Sequence, residues 1–312
     1  MLEEVIRSKA RKLLEEKRVD LIIGWSEGTV SLKTAPKLCR KPEDADQLVW
    51  NPLCSVNLAR YLKYYKKSPE KIAVLAKACD ARAILVLLKE EQISRDRLVI
   101  LGLPCLGLLN PDRVAEALPG ARSRDLEWKV GKLLYRGQPC DTSLLMEETC
   151  RRCRHHNPPL ADEVIGEPVG EPGYLHDDYL ERYNRMDPGE REAFFNEEMT
   201  RCIRCYACRN ACPLCYCQEC FVESTRPLWV TPAPTPFDNL LFQVARSMHM
   251  VGRCVECGAC ERACPVKIPI ALFPIKVEEI VQVEYSFEAG LSEESAAPLL
   301  TYRENDPEDF IK

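Results

Sequence analysis

Two stretches of the chain repeat one cysteine spacing. Each reads C-x2-C-x2-C-x3-C-P, once over residues 202–213 and once over residues 254–265. Three thiolates on a tight turn can hold three corners of a cubane cluster, while the fourth, one helical turn further, points at a neighbouring cluster. The spacing therefore predicts two [4Fe–4S] clusters with exchanged ligands. One set is Cys202, Cys205, Cys208 and Cys264, and the other is Cys254, Cys257, Cys260 and Cys212.

Zinc is the alternative metal for cysteine pairs. A structural zinc site needs two C-x-x-C pairs and has no use for a third cysteine followed by C-P, repeated twice. Directly after the first run, three further cysteines stand within six residues: Cys215, Cys217 and Cys220. They are either buried thiols packed beside the clusters or ligands of a fourth metal centre. The sequence leaves both readings open.

Composition limits the classes of function. The chain has 18 cysteines in 312 residues, and its start, MLEEVIRSKARKLLEEK, lacks the apolar stretch of an export signal. Dense cysteine in a reducing cytoplasm indicates metal or catalysis rather than disulfides. The net charge of −5 argues against nucleic-acid binding, and no apolar run is long enough for direct membrane insertion. We therefore expect a cytoplasmic protein.

Strand and helix patterns alternate in the first half of the chain. Helices are predicted over residues 2–17 and 57–65, and buried strands over 19–25, 71–80 and 97–105, the first ending at a Gly turn. This order predicts an α/β domain with a mostly parallel sheet over residues 1–175. Cys79 and Cys105 then lie just past the carboxyl ends of strands, where open α/β sheets place their ligands.

Helical patterns dominate the second half. Asp187 and Pro188 begin a helix that leads into the first cysteine run, and a second helix near residues 238–250 leads into the next. We predict an all-α two-cluster ferredoxin domain over residues 176–290 and a C-terminal tail over 291–312. The motifs HMVGRC and CPVKIP make residues 185–285 resemble the α-helical ferredoxin domains of heterodisulfide reductase and succinate dehydrogenase iron–sulfur subunits.

The first half also carries a set of motifs in a fixed order. A strand is followed by Cys-Asp at residues 79–80, another by G-x-P-C, and then comes CRRCRHHNPPLADEVIGEPVG. This order resembles the beta subunit of coenzyme F-420 (deazaflavin) hydrogenases and dehydrogenases over residues 19–173. The turn GWSEGTVS, with Gly24 and Gly28, is similar to the Gly-rich flavin-side turn of that family.

The resemblance implies a third [4Fe–4S] cluster and a bound FAD. The cluster ligands of that family correspond to Cys79, Cys105, Cys150 and Cys153 in this chain, and Cys54 is the alternative for one of these positions. Gly24, Gly28, Lys77, Asp80 and Arg82 become the candidate cofactor-binding residues, since Lys77 and Arg82 flank Cys79 and can balance cluster or flavin charge. The histidines at 155 and 156 are expected to be solvated.

These patterns together predict an iron–sulfur electron-transfer subunit of an anaerobic oxidoreductase complex of the formate dehydrogenase, hydrogenase or heterodisulfide reductase type. It would pass electrons between a flavin or other two-electron carrier and a partner. The expected partners are the other subunits of a redox complex. A flavin-free polyferredoxin connector or scaffold is the alternative.

Overall fold

The computed structural model describes residues 2–129, 132–142, 144–170 and 178–301. Helices and strands alternate in the first half and helices alone follow. In chain order the elements are α1 (Leu2–Glu15), β1 (Leu21–Glu27), β2 (Thr34–Cys39), α2 (Ala59–Leu62), β3 (Ile72–Lys77), α3 (Ala78–Lys89), β4 (Leu98–Leu103), α4 (Pro111–Ala117), β5 (Leu126–Lys129), β6 (Lys132–Tyr135), β7 (Gln138–Cys140), α5 (Glu148–Arg151), β8 (Glu163–Val164), α6 (Asp178–Arg185), α7 (Pro188–Arg201), α8 (Ala207–Ala211), α9 (Pro236–Met248), α10 (Ala259–Arg262) and α11 (Leu272–Tyr285).

A five-stranded sheet forms the centre of the first half. Its order is β2-β1-β3-β4-β8, with β2 antiparallel to β1 and the other pairs parallel. Every residue of β3 is buried, as expected of a parallel strand covered on both faces. The carboxyl ends of β3 and β4 therefore open at the same edge, and this edge receives Cys79 and Cys105.

The second half is helical, as the sequence predicts. Asp187 caps α7, because its carboxylate accepts a hydrogen bond from the Glu190 amide and the Glu190 carboxylate accepts one from the Asp187 amide. Pro188 occupies the first turn of α7, where its missing N–H costs nothing. Thr235 caps α9, because its hydroxyl oxygen accepts a hydrogen bond from the Asp238 amide. The expectation of an α/β region followed by a helical ferredoxin region is confirmed.

The hydrophobic core of the sheet continues into the helical half. Cys212, Leu214, Met250, Val255 and Phe287 belong to the same buried cluster as the side chains of β1, β3 and β4. The boundary predicted near residue 175 lies outside the described residues, so the division into domains stays a prediction. No helix in the described part of the chain is long and apolar enough to cross a membrane.

Several local expectations need correction. The strand predicted over residues 19–25 runs instead from Leu21 to Glu27, and no turn separates β3 from α3, so Cys79 stands in the first helical turn. The segment after residue 140, for which no element was predicted, contains the single-turn helix α5 and strand β8. The small antiparallel sheet β5-β6-β7 was not predicted, because its strands are only three or four residues long.

Candidate iron–sulfur centres and an adjacent cavity

A first cysteine cavity lies beside α9. Its cysteines are Cys202, Cys205, Cys208 and Cys264. Cys202 ends α7, Cys208 lies in α8, and Cys264 follows α10. The Nε2 atom of Gln243 lies 3.6 Å from the Cys208 Sγ atom and donates a hydrogen bond to it. One cavity is therefore lined by the first three cysteines of the first run and the last cysteine of the second run.

A second cysteine cavity holds the complementary set, Cys212, Cys254, Cys257 and Cys260, together with Arg246. The two runs also share their backbone conformation. Arg204 and Tyr206 have φ angles of 48° and 59°, and the equivalent Glu256 and Gly258 have 54° and 69°. Left-handed residues at matching positions fold each run into the same tight turn. The fourth cysteine of each run consequently lies in the other run's cavity.

A third cysteine cavity lies at the carboxyl edge of the sheet. It is lined by Cys79, Cys105, Cys150 and Cys153, and also by Cys257 from the second cavity. Burial raises the pKa of the Cys79, Cys150 and Cys153 thiols to about 11, because a buried thiolate lacks solvation. A bound metal deprotonates such thiols outright.

The donor set of the three cavities suits iron–sulfur clusters. At least four thiols line each cavity, and thiolates are the ligands of [4Fe–4S] clusters. Within the described residues, no three His, Cys, Asp or Glu side chains close on a single metal ion. The thiols instead line spaces between helices and loops. The residues present therefore fit clusters held between elements.

Two histidines next to Cys153 are not solvated, contrary to expectation. His156 is buried, with Nδ1 2.6 Å from the Cys105 carbonyl oxygen and Nε2 2.9 Å from the Cys153 carbonyl oxygen. His155 Nε2 lies 2.5 Å from Glu288 Oε1. The imidazole of His156 thus ties together the two loops that carry Cys105 and Cys153, a long-range contact that local polarity could not reveal.

A larger cavity, which we call the strand-end cavity, adjoins the third cysteine cavity. Its volume is about 730 Å³, within the range of roughly 300–1,000 Å³ that ligand pockets occupy. The loop after β4 separates the two spaces, because Pro104 and Leu106 line the strand-end cavity while Cys105 lines the third cysteine cavity. Trp50, Trp128, Arg7, Arg124, Gly166 and Gly170 also line it.

The predicted cofactor-binding residues occupy different places. Lys77 and Arg82 line the third cysteine cavity. Asp80 is buried beneath it, with Oδ2 2.8 Å from Lys77 Nζ. Gly24 lies inside β1 against Leu48 and Leu75, and Gly28 lies in the β1–β2 hairpin against Lys33; neither glycine lines the strand-end cavity or a cysteine cavity. Lys77 also stacks on Trp25 at 4.1 Å from the ring centre.

The remaining candidate cysteines line none of the cavities described above. Cys54 is buried in the apolar core, where its thiol donates to the Val49 carbonyl at 3.8 Å. Cys215 lies beside Cys212 and Arg246, with its pKa raised through the Cys212 thiol and burial. Cys217 is exposed, and Cys220 contacts Arg209. The role of Cys215, Cys217 and Cys220 as ligands of a fourth centre stays a prediction.

Comparison with known proteins agrees with this geometry. The 4Fe-4S dicluster domain family matches residues 198–268. Those residues are a 4Fe-4S domain. The expectation of [4Fe–4S] binding in the second half is thereby confirmed. Over a shorter stretch, 118 aligned residues covering 37% of this chain, the sequence is 30% identical to lactate utilization protein B of Bacillus cytotoxicus.

Two relatives match most of the chain. "F420-dependent formate dehydrogenase subunit beta" of Methanocaldococcus jannaschii is 26% identical, covering 83% of this chain and 84% of its own length. "F420-dependent formate dehydrogenase 1 subunit beta" of Methanococcus maripaludis is 26% identical, covering 92% and 90%. The resemblance predicted from the N-terminal motifs is confirmed. A chain of the F420-reducing [NiFe] hydrogenase complex of Methanosarcina barkeri superposes with a TM-score of 0.41 at 16% identity, covering 65% of this chain and 86% of that one.

Sequence reasoning missed three polar side chains that face the cysteine cavities. Gln243 and Arg246 lie one turn apart on α9, and Arg262 ends α10. Arg246 is only 4% exposed. The buried face of α9 is mostly polar, with Asn239, Gln243 and Arg246 beside Phe242, and polar residues at helical spacing were the one available signal. Their direction toward the cysteines depends on the packing of α9, which spacing alone does not give.

Proposed function

We propose that the chain is the electron-transferring iron–sulfur subunit of a formate dehydrogenase-type complex and binds three [4Fe–4S] clusters. The two long relatives, both named as beta subunits of F420-dependent formate dehydrogenases, support this assignment. The first cluster would be held by Cys202, Cys205, Cys208 and Cys264, the second by Cys212, Cys254, Cys257 and Cys260, and the third by Cys79, Cys105, Cys150 and Cys153.

The observation that carries the proposal is the shared position of Cys257. This cysteine lines both the second and the third cysteine cavity, and Cys208 and Cys212, four residues apart, line the first and second. The three cavities are therefore consecutive neighbours. Clusters supply one-electron transfer when bound. The chain's own part is to hold the thiols in this order.

We propose FAD as the occupant of the strand-end cavity. The cavity lies at the carboxyl edge of a parallel sheet, the usual ligand position in open α/β folds, and its volume of about 730 Å³ is within the range of ligand pockets. A flavin supplies the exchange between electron pairs and single electrons. Pro104 and Leu106 would contact it while Cys105, between them, faces the third cluster site.

The wider assignments follow from this reading. We propose an α/β unit over residues 1–175, a helical ferredoxin unit over 176–290 and a tail over 291–312, working in the cytoplasm with a catalytic subunit on a separate chain. The alternative, a flavin-free polyferredoxin connector, would use the same three cysteine cavities. It differs only in leaving the strand-end cavity without flavin.

Iron, acid-labile sulfide, zinc and released flavin should be measured on anaerobically purified full-length chain. We expect about twelve irons and one FAD per chain, from four irons per cluster. Cys150→Ser should lose about four irons and leave the others, while Cys140→Ser, a control outside the described cavities, should lose none. Near-stoichiometric zinc would refute the cluster assignment. Twelve irons without flavin would favour the polyferredoxin alternative, and about sixteen would indicate a fourth centre at Cys215, Cys217 and Cys220.

A further inference from the structure

Arg246 lies between the first and second cysteine cavities. It projects from α9 into the second cavity and faces Cys260 and Cys212 there, as well as Cys208 of the first. Burial alone would lower its pKa, but the surrounding cysteines raise it well above the ordinary value. Its Nε and Nη1 atoms are buried and have no hydrogen-bond partner. The guanidinium therefore has donors left for a group that the cysteines enclose.

Arg262 occupies the equivalent place between the second and third cavities. Its Nη1 atom lies beside Gly258, which lines the second cavity and is also approached by Thr149 of the third. The charged groups around it are Cys150, Glu147, Cys257 and Cys79. Its Nη2 atom donates to the Ser55 carbonyl at 3.0 Å, which fixes the guanidinium, while its buried Nη1 atom has no partner.

Other buried arginine nitrogens also lack hydrogen-bond partners, but none of those side chains shares this position between two cavities. Arg152, for example, lines the third cavity and is neutralised by Glu256 at 3.2 Å and Glu279 at 3.8 Å. Among the described residues, neither Arg246 nor Arg262 forms an ion pair with a carboxylate, although the Glu147 carboxylate acts on Arg262 from further away. Each arginine therefore brings a positive charge into the space between two sets of cluster ligands. A charge in that position acts on both neighbours.

We propose that the positive charges of Arg246 and Arg262 set the relative reduction potentials of the three clusters. Each arginine raises the potentials of the two clusters between which it lies. The proposal rests on the three-cluster assignment above. A positive charge stabilises the reduced cluster, which carries one more negative charge, and its spare N–H groups can donate to cluster sulfur. Hydrogen bonds to sulfur and net charge are established determinants of cluster potential.

The decisive property is which clusters respond to each substitution. Arg246→Met should lower the potentials of the first and second clusters and leave the third unchanged. Arg262→Met should lower the second and third and leave the first unchanged. A buried unit charge at this range should change the reduced-to-oxidised ratio at fixed ambient potential by roughly tenfold, which is 59 mV for a one-electron couple.

The test is an EPR-monitored redox titration of the anaerobically purified full-length chain. Signals of the third cluster are assigned from the Cys150→Ser protein. Arg201→Met is the matched control, because Arg201 adjoins Cys202 but its side chain is 46% exposed and paired with Glu198; water should screen the change. Arg246→Lys and Arg262→Lys keep the charge and should recover most of each shift.

Equal shifts at all three clusters, or none, would overturn the proposal, as would Lys variants that behave like the Met variants at unchanged iron content. If a Met variant loses iron, the uncharged Gln variant and the charged Lys variant of the same position are compared instead. Equal cluster potentials in these two variants would refute an effect of charge. A wild-type chain with only eight irons would contradict the three-cluster assignment. The effect of Arg246→Met on the potentials of the first two clusters would still test the role of Arg246.

Discussion

Replacing Gly258 with alanine should push apart the second and third cysteine cavities. Gly258 has a φ of +69°, and a Cβ atom there would lie 2.1 Å from the Thr149 Oγ1 atom and 2.8 Å from Arg262 Nη1. Thr149 adjoins Cys150 on the single-turn helix α5. The helix must retreat by more than an ångström to reach ordinary contact, or the turn between Cys257 and Cys260 must open.

Two costs add in this variant. The left-handed conformation costs an L-residue about 1–2 kcal/mol, and overpacking costs about 1–3 kcal/mol more. Substituting Gly137 distinguishes the two costs. Its φ of +80° imposes the same backbone cost, but nothing lies within 4 Å of the position that its Cβ atom would take. Gly137→Ala should therefore lose only about 1–2 kcal/mol of stability, against about 2–5 kcal/mol for Gly258→Ala.

Thermal unfolding at one scan rate, followed under anaerobic conditions by circular dichroism, would measure the difference. Each kcal/mol corresponds to roughly 2–4 °C in a domain of this size. Adding Thr149→Ala to Gly258→Ala should recover part of the loss, because it removes Oγ1 but leaves the Thr149 Cβ atom 2.8 Å away. Equal midpoints for Gly258→Ala and Gly137→Ala would refute the close approach of α5 to this turn.

Three further changes test a contact between the halves of the chain, the role of His156 and the path of the electrons. Glu90→Gln should cost about 1–3 kcal/mol, seen as a lower unfolding midpoint, because Glu90 accepts from Arg253 at 2.6 Å; exposed Glu91→Gln is the control and should be silent. His156→Ala should remove about four irons per chain by freeing the loops of the third cavity, and retention of all iron would contradict this role. We expect electrons to run from the flavin through the clusters to the partner, so Cys257→Ala should let a donor bleach the flavin but stop electron delivery to the partner, visible in stopped-flow spectra. A flavin that is never reduced, with the remaining clusters still reduced by the partner, would show the opposite direction.

The cysteine groupings of the helical half could be predicted from sequence because they are local. The interval between cysteines in each run dictates a turn, and the following helical turn directs Cys212 and Cys264 away from their own run. The same two sets line the first and second cavities. Predicting the grouping of Cys79, Cys105, Cys150 and Cys153 needed two further observations. The strand ends that carry Cys79 and Cys105 meet at one edge of the sheet, and the family resemblance joined these two cysteines to the C-x-x-C motif.

The parts that sequence could not supply are contacts between residues far apart in the chain. His156 sits in a polar segment with no apolar periodicity, yet it is buried by the loop that carries Cys105, 51 residues earlier. Cys54 follows a loop like those of the other candidate ligands, yet the core encloses it. Local composition describes a residue's neighbours in sequence, whereas burial depends on which loops the sheet brings together.

The separation of the second and third cysteine cavities depends on packing between the halves. Arg82 donates to the Ala289 carbonyl at 2.8 Å and to Glu288 at 3.1 Å, while Arg262 reaches back to Ser55. Gly290 passes so close to Arg82 that a Cβ atom there would lie 2.4 Å from the Arg82 carbonyl oxygen. These contacts surround the place where Cys257 meets the third cavity. In the proposed three-cluster arrangement, a single continuous core across both halves would hold the separation between neighbouring clusters constant, as electron transfer between them requires.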